Sequence, residues 1–188
     1  MKTIKIFHAA MMAMFFLGAH MAYGQMEKTT EVGGALMYPS KNIIENAVNS
    51  ADHTTLVAAI KAAGLVEILQ GKGPFTVFAP TNAAFEKLPD GTLESLVKPE
   101  NKQMLSSILT YHVVTGRLNS KELVAAIKNQ NGKTILTTVH GGKLTAWMKG
   151  DDIYISDENG SKSKVTIKDV YQSNGVIHVV DTVVTPKN

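Results

Sequence analysis

With 188 residues, 44% of them hydrophobic, the chain is long enough for one domain with a proper hydrophobic core. It has no cysteine, which excludes a disulfide scaffold, a lipid-modified cysteine and thiol chemistry. Two of its 19 basic residues, Lys2 and Lys5, fall in a segment read below as cleaved, which leaves 17 against the 16 acidic ones. No run of Lys and Arg interleaved with aromatics stands in the sequence, so nucleic-acid binding has no linear footprint.

Residues 1–24 have the form of a secretory signal peptide. Lys2 and Lys5 make a positive start, an apolar stretch runs from Ile6 to about Gly18, and Ala22-Tyr23-Gly24 supplies small residues at the −3 and −1 positions. Cleavage is expected after Gly24. The apolar run falls short of the roughly 20 residues that a spanning helix needs, so no membrane span is expected once the signal is gone. The product is then secreted or periplasmic. Residues 25–39 lack sustained periodicity, contain Gly33-Gly34 and Pro39, and read as a flexible leader.

From residue 40 the pattern is that of a domain extending to 188. Ser40 offers an N-cap for a short helix carrying Ile43, Ile44 and Ala47. Asp52 stands where it could cap a second helix, whose stripe is Leu56, Val57, Ile60 and Ala63 and whose left-handed stop is Gly64. Phe75 to Ala79 is a short apolar run, apolar on both faces, and reads as a central strand stopped by Pro80. Thr81 then stands as the N-cap of a helix from Asn82 to Leu88. A helix beginning at Pro99 is expected to face Met104, Leu105, Ile108 and Leu109 inward, and Tyr111 to Val114 reads as a strand. Asn119 with Glu122 makes a capping box for a helix carrying Leu123, Val124 and Ile127. Five strand-like runs follow, from Thr134 to Val184, divided by Gly141-Gly142, Gly150-Asp151, Asn159-Gly160 and Asn174-Gly175. Helices first and a strand meander afterwards indicate a single α+β domain.

Three stretches resemble the fasciclin domain in the right order. TVFAPTNAAF (76–85) is very similar to its first signature motif, Tyr111-His112 follows, and GVIHVVDTVVTP (175–186) lies near the C-terminus. The resemblance covers about residues 40–186. It implies a β-sandwich or wedge with N-terminal helices packed along it, in a secreted adhesion-type module; no cofactor is expected. It also implies a role for Tyr111 and His112 as partner-binding residues, because contact residues of fasciclin domains in adhesion proteins are attributed to this region.

The residues themselves favour a plainer role for that pair. A histidine among apolar residues usually has a satisfied partner, and Thr76, Thr81 and Asn82 are the polar residues expected to serve His112. Among the other histidines, His53 is expected near an exposed helix start, His140 at a turn, and His178 on the strand face shared by Val176 and Val180. No H-x-x-x-H or H-E-x-x-H spacing exists for a metal, and no G-x-S-x-G elbow for a nucleophile. Asp151-Asp152 and Asp157-Glu158 read as solvated acidic turns, and Asn159-Gly160-Ser161 as a formal glycosylation sequon. The function expected is a non-catalytic contact with an extracellular or cell-surface protein or polysaccharide. The alternative is a carrier of an apolar small molecule such as a carotenoid, which would need a contiguous apolar groove.

Overall fold

The structure, a computed structural model, describes residues 28–187; the expected signal peptide, its cleavage after Gly24 and the first residues of the expected leader lie outside them. Where the rest of that leader was expected, the chain forms a hairpin, β1 (Thr30–Val32) and β2 (Ala35–Met37), with Val32 opposite Ala35. Gly33 and Gly34 take φ of 58° and 74°, which a tight two-residue turn between antiparallel strands demands and glycine supplies without strain. Val32 and Met37 point into the core, 2% and 3% exposed. The reading of 25–39 as a flexible leader is therefore corrected over the hairpin. Strands of three residues are too short to show a period in sequence, and burial is what holds them.

Helices build the first half. Helix α1 (Ile43–Ala47) is capped by Asn42, not Ser40: the Asn42 side chain accepts from Glu45 N, and Glu45 accepts in return from Asn42 N. Asp52 lies within a single 3-10 turn, Ala51–His53, and does not cap α2 (Thr54–Ala63). Gly64 ends α2 in the left-handed conformation, as expected. Helix α3 (Val66–Gln70) leads into strand β3 (Phe75–Pro80), and Thr81 caps α4 (Asn82–Phe85) by accepting from Ala84 N at 3.2 Å. Next come α5 (Thr92–Leu96), α6 (Lys102–Tyr111), β4 (Val113–Thr115) and α7 (Ser120–Asn129), the last with the expected Asn119–Glu122 capping box.

Strands β5 (Lys133–Thr137), β6 (Lys143–Lys149), β7 (Asp152–Ser156), β8 (Lys162–Gln172) and β9 (Gly175–Val180) complete a seven-stranded sheet in the order β4-β3-β9-β8-β7-β6-β5. All neighbours are antiparallel except β3 and β9, which run parallel with Phe78 opposite His178. The sheet curls until its edge strands meet: Val114 bridges Thr138, and Val139 N donates to Val113 O at 2.7 Å. The expected sandwich or wedge is thus one sheet nearly closed on itself, within the single α+β domain anticipated.

Strand alternation divides the core in two. Val77 and Ala79 of β3 pack outward, with Ile177 and Val179 of β9, against the helical layer of α1 to α6. Phe78 and Val180 point inward, where Leu144, Ala146, Ile153 and Ile155 meet Leu123 and Ile127 of α7. Burial on both faces explains why β3 and β9 read as continuous apolar runs.

Candidate functional site

Tyr111 and His112 stand at the junction of the two cores. The helical stripe Leu105, Ile108, Leu109 continues through Tyr111, the last residue of α6, and His112 caps the helix; β4 starts only at Val113. The strand expected from Tyr111 is corrected accordingly, since the spacing from Ile108 to His112 is one helical turn. Met104, expected inward, is 57% exposed. It precedes Leu105 by one position and so lies about 100° round the helix from it.

Neither side chain of the pair faces solvent. Tyr111 is fully buried, its hydroxyl donates to Lys143 O at 2.6 Å, and its ring meets the exposed His140 edge-on at 6.1 Å. Burial pushes its pKa up to about 12. His112 is 3% exposed, accepts from Val184 N at Nε2 (3.2 Å) and lies 2.9 Å from Ile108 O at Nδ1. Because Nε2 accepts, the proton sits on Nδ1 and is donated to the Ile108 carbonyl. Burial lowers the His112 pKa to about 4, against weaker opposition from that carbonyl and from Asp157.

The partners expected for His112 are occupied elsewhere. Thr76 donates to Gly116 O at 2.7 Å and accepts from Leu118 N at 2.8 Å. Thr81 caps α4, and Asn82 ties α2 to the 3-10 turn through Thr55 N (3.0 Å) and Ala51 O (2.8 Å). The true partners are main-chain atoms, which no side-chain motif in the sequence could reveal.

The other buried histidines are also structural. His178 is fully buried, stacks on Phe78 at 5.7 Å and donates from Nε2 to Leu118 O at 2.8 Å. His53, expected near an exposed end, is 3% exposed, with Ser50 Oγ 2.9 Å from Nδ1; Nε2 has no partner among the described residues. Burial lowers the pKa of both. Among the described residues no group of three or more His, Cys, Asp or Glu is placed to hold a metal.

Above the pair lies an open groove of about 740 Å³ between α5, α6 and the C-terminal tail. Leu96, Met104, Ile108, Val183 and Pro186 give it apolar walls, and His140, Asn159 and Lys187 stand among its polar lining. The buried pair touches this region at three points: His112 bonds Ile108 O and the N of Val184, which lies between the lining residues Val183 and Thr185, and the Tyr111 ring meets His140.

Asp157 holds the tail from the other side. It accepts from Thr185 N at 3.0 Å, Asn159 N at 3.0 Å and Ser161 N at 2.8 Å, and is 7% exposed. The acidic turn read as solvated is thus an anchor at Asp157. The sequon amide of Asn159 is engaged too, donating to Thr185 O and Pro186 O at 3.2 Å each. The side-chain polar atoms of Tyr111 and His112 are all engaged with backbone atoms, so neither offers a free polar group to the groove. A second, enclosed apolar space beneath the hairpin measures about 20 Å³, enough for about one water.

Comparison with known proteins places these features in company. The family model of the Fasciclin domain matches residues 51–186. Protein sll1483 of Synechocystis is 44% identical, covering 85% of this chain and 82% of its own length. The cell surface glycolipoprotein MPB83 of Mycobacterium bovis is 32% identical over 74% of this chain and 58% of its own. Among solved structures, a FAS1 domain pair from the insect cell adhesion molecule fasciclin I superposes with a TM-score of 0.69 at 20% identity. It matches 78% of this chain, which spans about half (51%) of that one.

Proposed function

This chain belongs to the fasciclin domain family, and from that premise we propose that it is an exported, non-catalytic module that mediates adhesion by contacting an extracellular or cell-surface protein or polysaccharide. The observation that carries this reading is the groove between α5, α6 and the C-terminal tail: an open, partly apolar recess set on secondary structure and on the tail that His112 and Asp157 hold. A pre-formed recess loses little conformational entropy on binding. In this reading Tyr111 and His112 lie beneath the contact surface and stabilise the fold that presents it, without touching the partner. Relatives described as a cell surface glycolipoprotein and a cell adhesion molecule support the location and the role. Among the described residues no helix is long and apolar enough to cross a membrane.

The test is retention of cells or envelope fragments of the source organism on a surface coated with residues 25–188. Retention above an albumin coating is expected, and its absence would remove the adhesive reading. Pigment co-purifying with the native protein would favour the apolar-carrier alternative instead.

A further inference from the structure

Strands β5 to β8 turn one face to the buried core, and α7 lies against that side. Their opposite face is built in rows by the register. Lys133, Trp147, Tyr154 and Lys164 are successive partners across the four strands. The adjacent row is Ile135, Thr145, Ser156 and Lys162. The alternation of buried and accessible positions along each strand confirms that these side chains share the outer face.

Trp147 is the chain's single tryptophan, and it stands on this face, half-buried, rather than in either core. It stacks on Tyr154 with ring centroids 4.6 Å apart and planes 15° from parallel, and the Lys162 ammonium lies 5.9 Å from its ring. Rings from adjacent strands that stack at the inter-strand spacing stand upright from the sheet, presenting rims and outer faces to solvent.

The charge around them is net positive, five lysines against Asp152 on the face and Asp151 and Glu158 at the two ends of β7. Lys164 is paired with Asp152 at 2.7 Å. Lys133, Lys143, Lys149 and Lys162 form no ion pair among the described residues. A near-neutral domain thus concentrates cations on one aromatic-centred face, which is complementary to a polyanion.

We propose that the outer face of β5 to β8 binds an extended anionic polysaccharide, with Trp147 and Tyr154 as the apolar platform and Lys133 and Lys162 as the flanking cations. C–H faces of sugar rings pack on aromatic surfaces, the hydroxyls of Thr145 and Ser156 suit sugar hydroxyls, and the lysines meet carboxylate or sulfate groups. A glycan is favoured over a single-stranded nucleic acid for two reasons. The two rings are already closed on each other, which leaves no slot between them for a base. The surface also carries lysine point charges and no arginine plane. The inference rests on the reading that the chain works outside the cytoplasm, but it concerns a surface separate from the groove.

Because Trp147 is the only tryptophan, its fluorescence reports the site directly. Purified residues 25–188 are titrated at low salt with polygalacturonate, dextran sulfate, neutral dextran and a short oligodeoxythymidylate. A saturable change in emission with the charged glycans and none with neutral dextran is expected; the tighter of the two names the anionic group. Raising NaCl from about 50 to 200 mM should weaken it, since salt screens exposed charges. Lys133→Glu with Lys162→Glu should raise Kd at least about tenfold, a change of about 1.4 kcal/mol, while Lys61→Glu on α2 leaves it unchanged; circular dichroism confirms that each variant is folded. No response to either charged glycan, equal weakening by Lys61→Glu, or tighter binding of the oligodeoxythymidylate would overturn the proposal. Glycan binding without retention of cells would sink the adhesive reading alone, and retention without glycan binding would sink this inference alone.

Discussion

His112 shows how one side chain can couple three parts of a fold. Its ring joins the last turn of α6 to the C-terminal tail, while its own carbonyl accepts from Phe78 N at 2.9 Å in β3. Replacing it with alanine leaves Val184 N and Ile108 O without their partner in a dry site. The expected cost is about 1–3 kcal/mol for the unmade bonds, with more from the cavity, read as a lower urea midpoint. The same ring predicts a pH dependence. Its folded pKa of about 4 lies below the ordinary value of 6.5, so between those values the unfolded chain binds the extra proton. Stability is full above pH 6.5 and falls on acidification toward pH 4, by about 1.4 kcal/mol per pH unit for this group. His53 and His178 are lowered as well and act in the same direction. Urea midpoints at pH 7.5 and pH 5 check this, and a midpoint that rises in acid would contradict it. The residues of this site were legible in the sequence, but their partners were not. Tyr111-His112 stood out as a motif, whereas Lys143 O, Ile108 O and Val184 N are backbone atoms brought close only by tertiary folding.

At the scale of elements, local chemistry carried most of the reading and failed where elements are short. The Thr81 and Asn119 caps, the Gly64 stop and the five late strands follow from neighbours within a few residues. The hairpin of β1 and β2 does not, because two three-residue strands owe their existence to what they cover. Its burial gives a direct expectation. Met37→Ala, at a position 3% exposed, should destabilise the domain by about 2–5 kcal/mol, measured by urea unfolding. Removing residues 25–39 should lower the melting temperature substantially, and an unchanged value would restore the leader reading.

For the molecule as a whole, the parallel pairing of β3 with β9 brings the first and last family motifs side by side, and His112 ties the second to both. That convergence was legible as the order of motifs. The curling of the sheet was not, since the Val114–Thr138 bridge depends on twist accumulated over seven strands. The face carrying Trp147 was equally hidden, because register and not sequence proximity assembles it. Export, the premise of the functional reading, is checked by intact mass of native material: the chain should begin at Gln25, and retention of residues 1–24 would contradict it.

The measurement that bears most directly on the role of the groove compares two variants in the cell-retention assay at equal amounts of folded protein. His112→Ala should lower the urea midpoint yet retain cells as wild type does per folded molecule. Met104→Glu, at an exposed position on the groove wall, should leave the midpoint within about 0.5 kcal/mol of wild type and reduce retention severalfold. If His112→Ala instead unfolds like wild type and loses retention, while Met104→Glu retains cells normally, the buried pair is the contact itself and the groove is not.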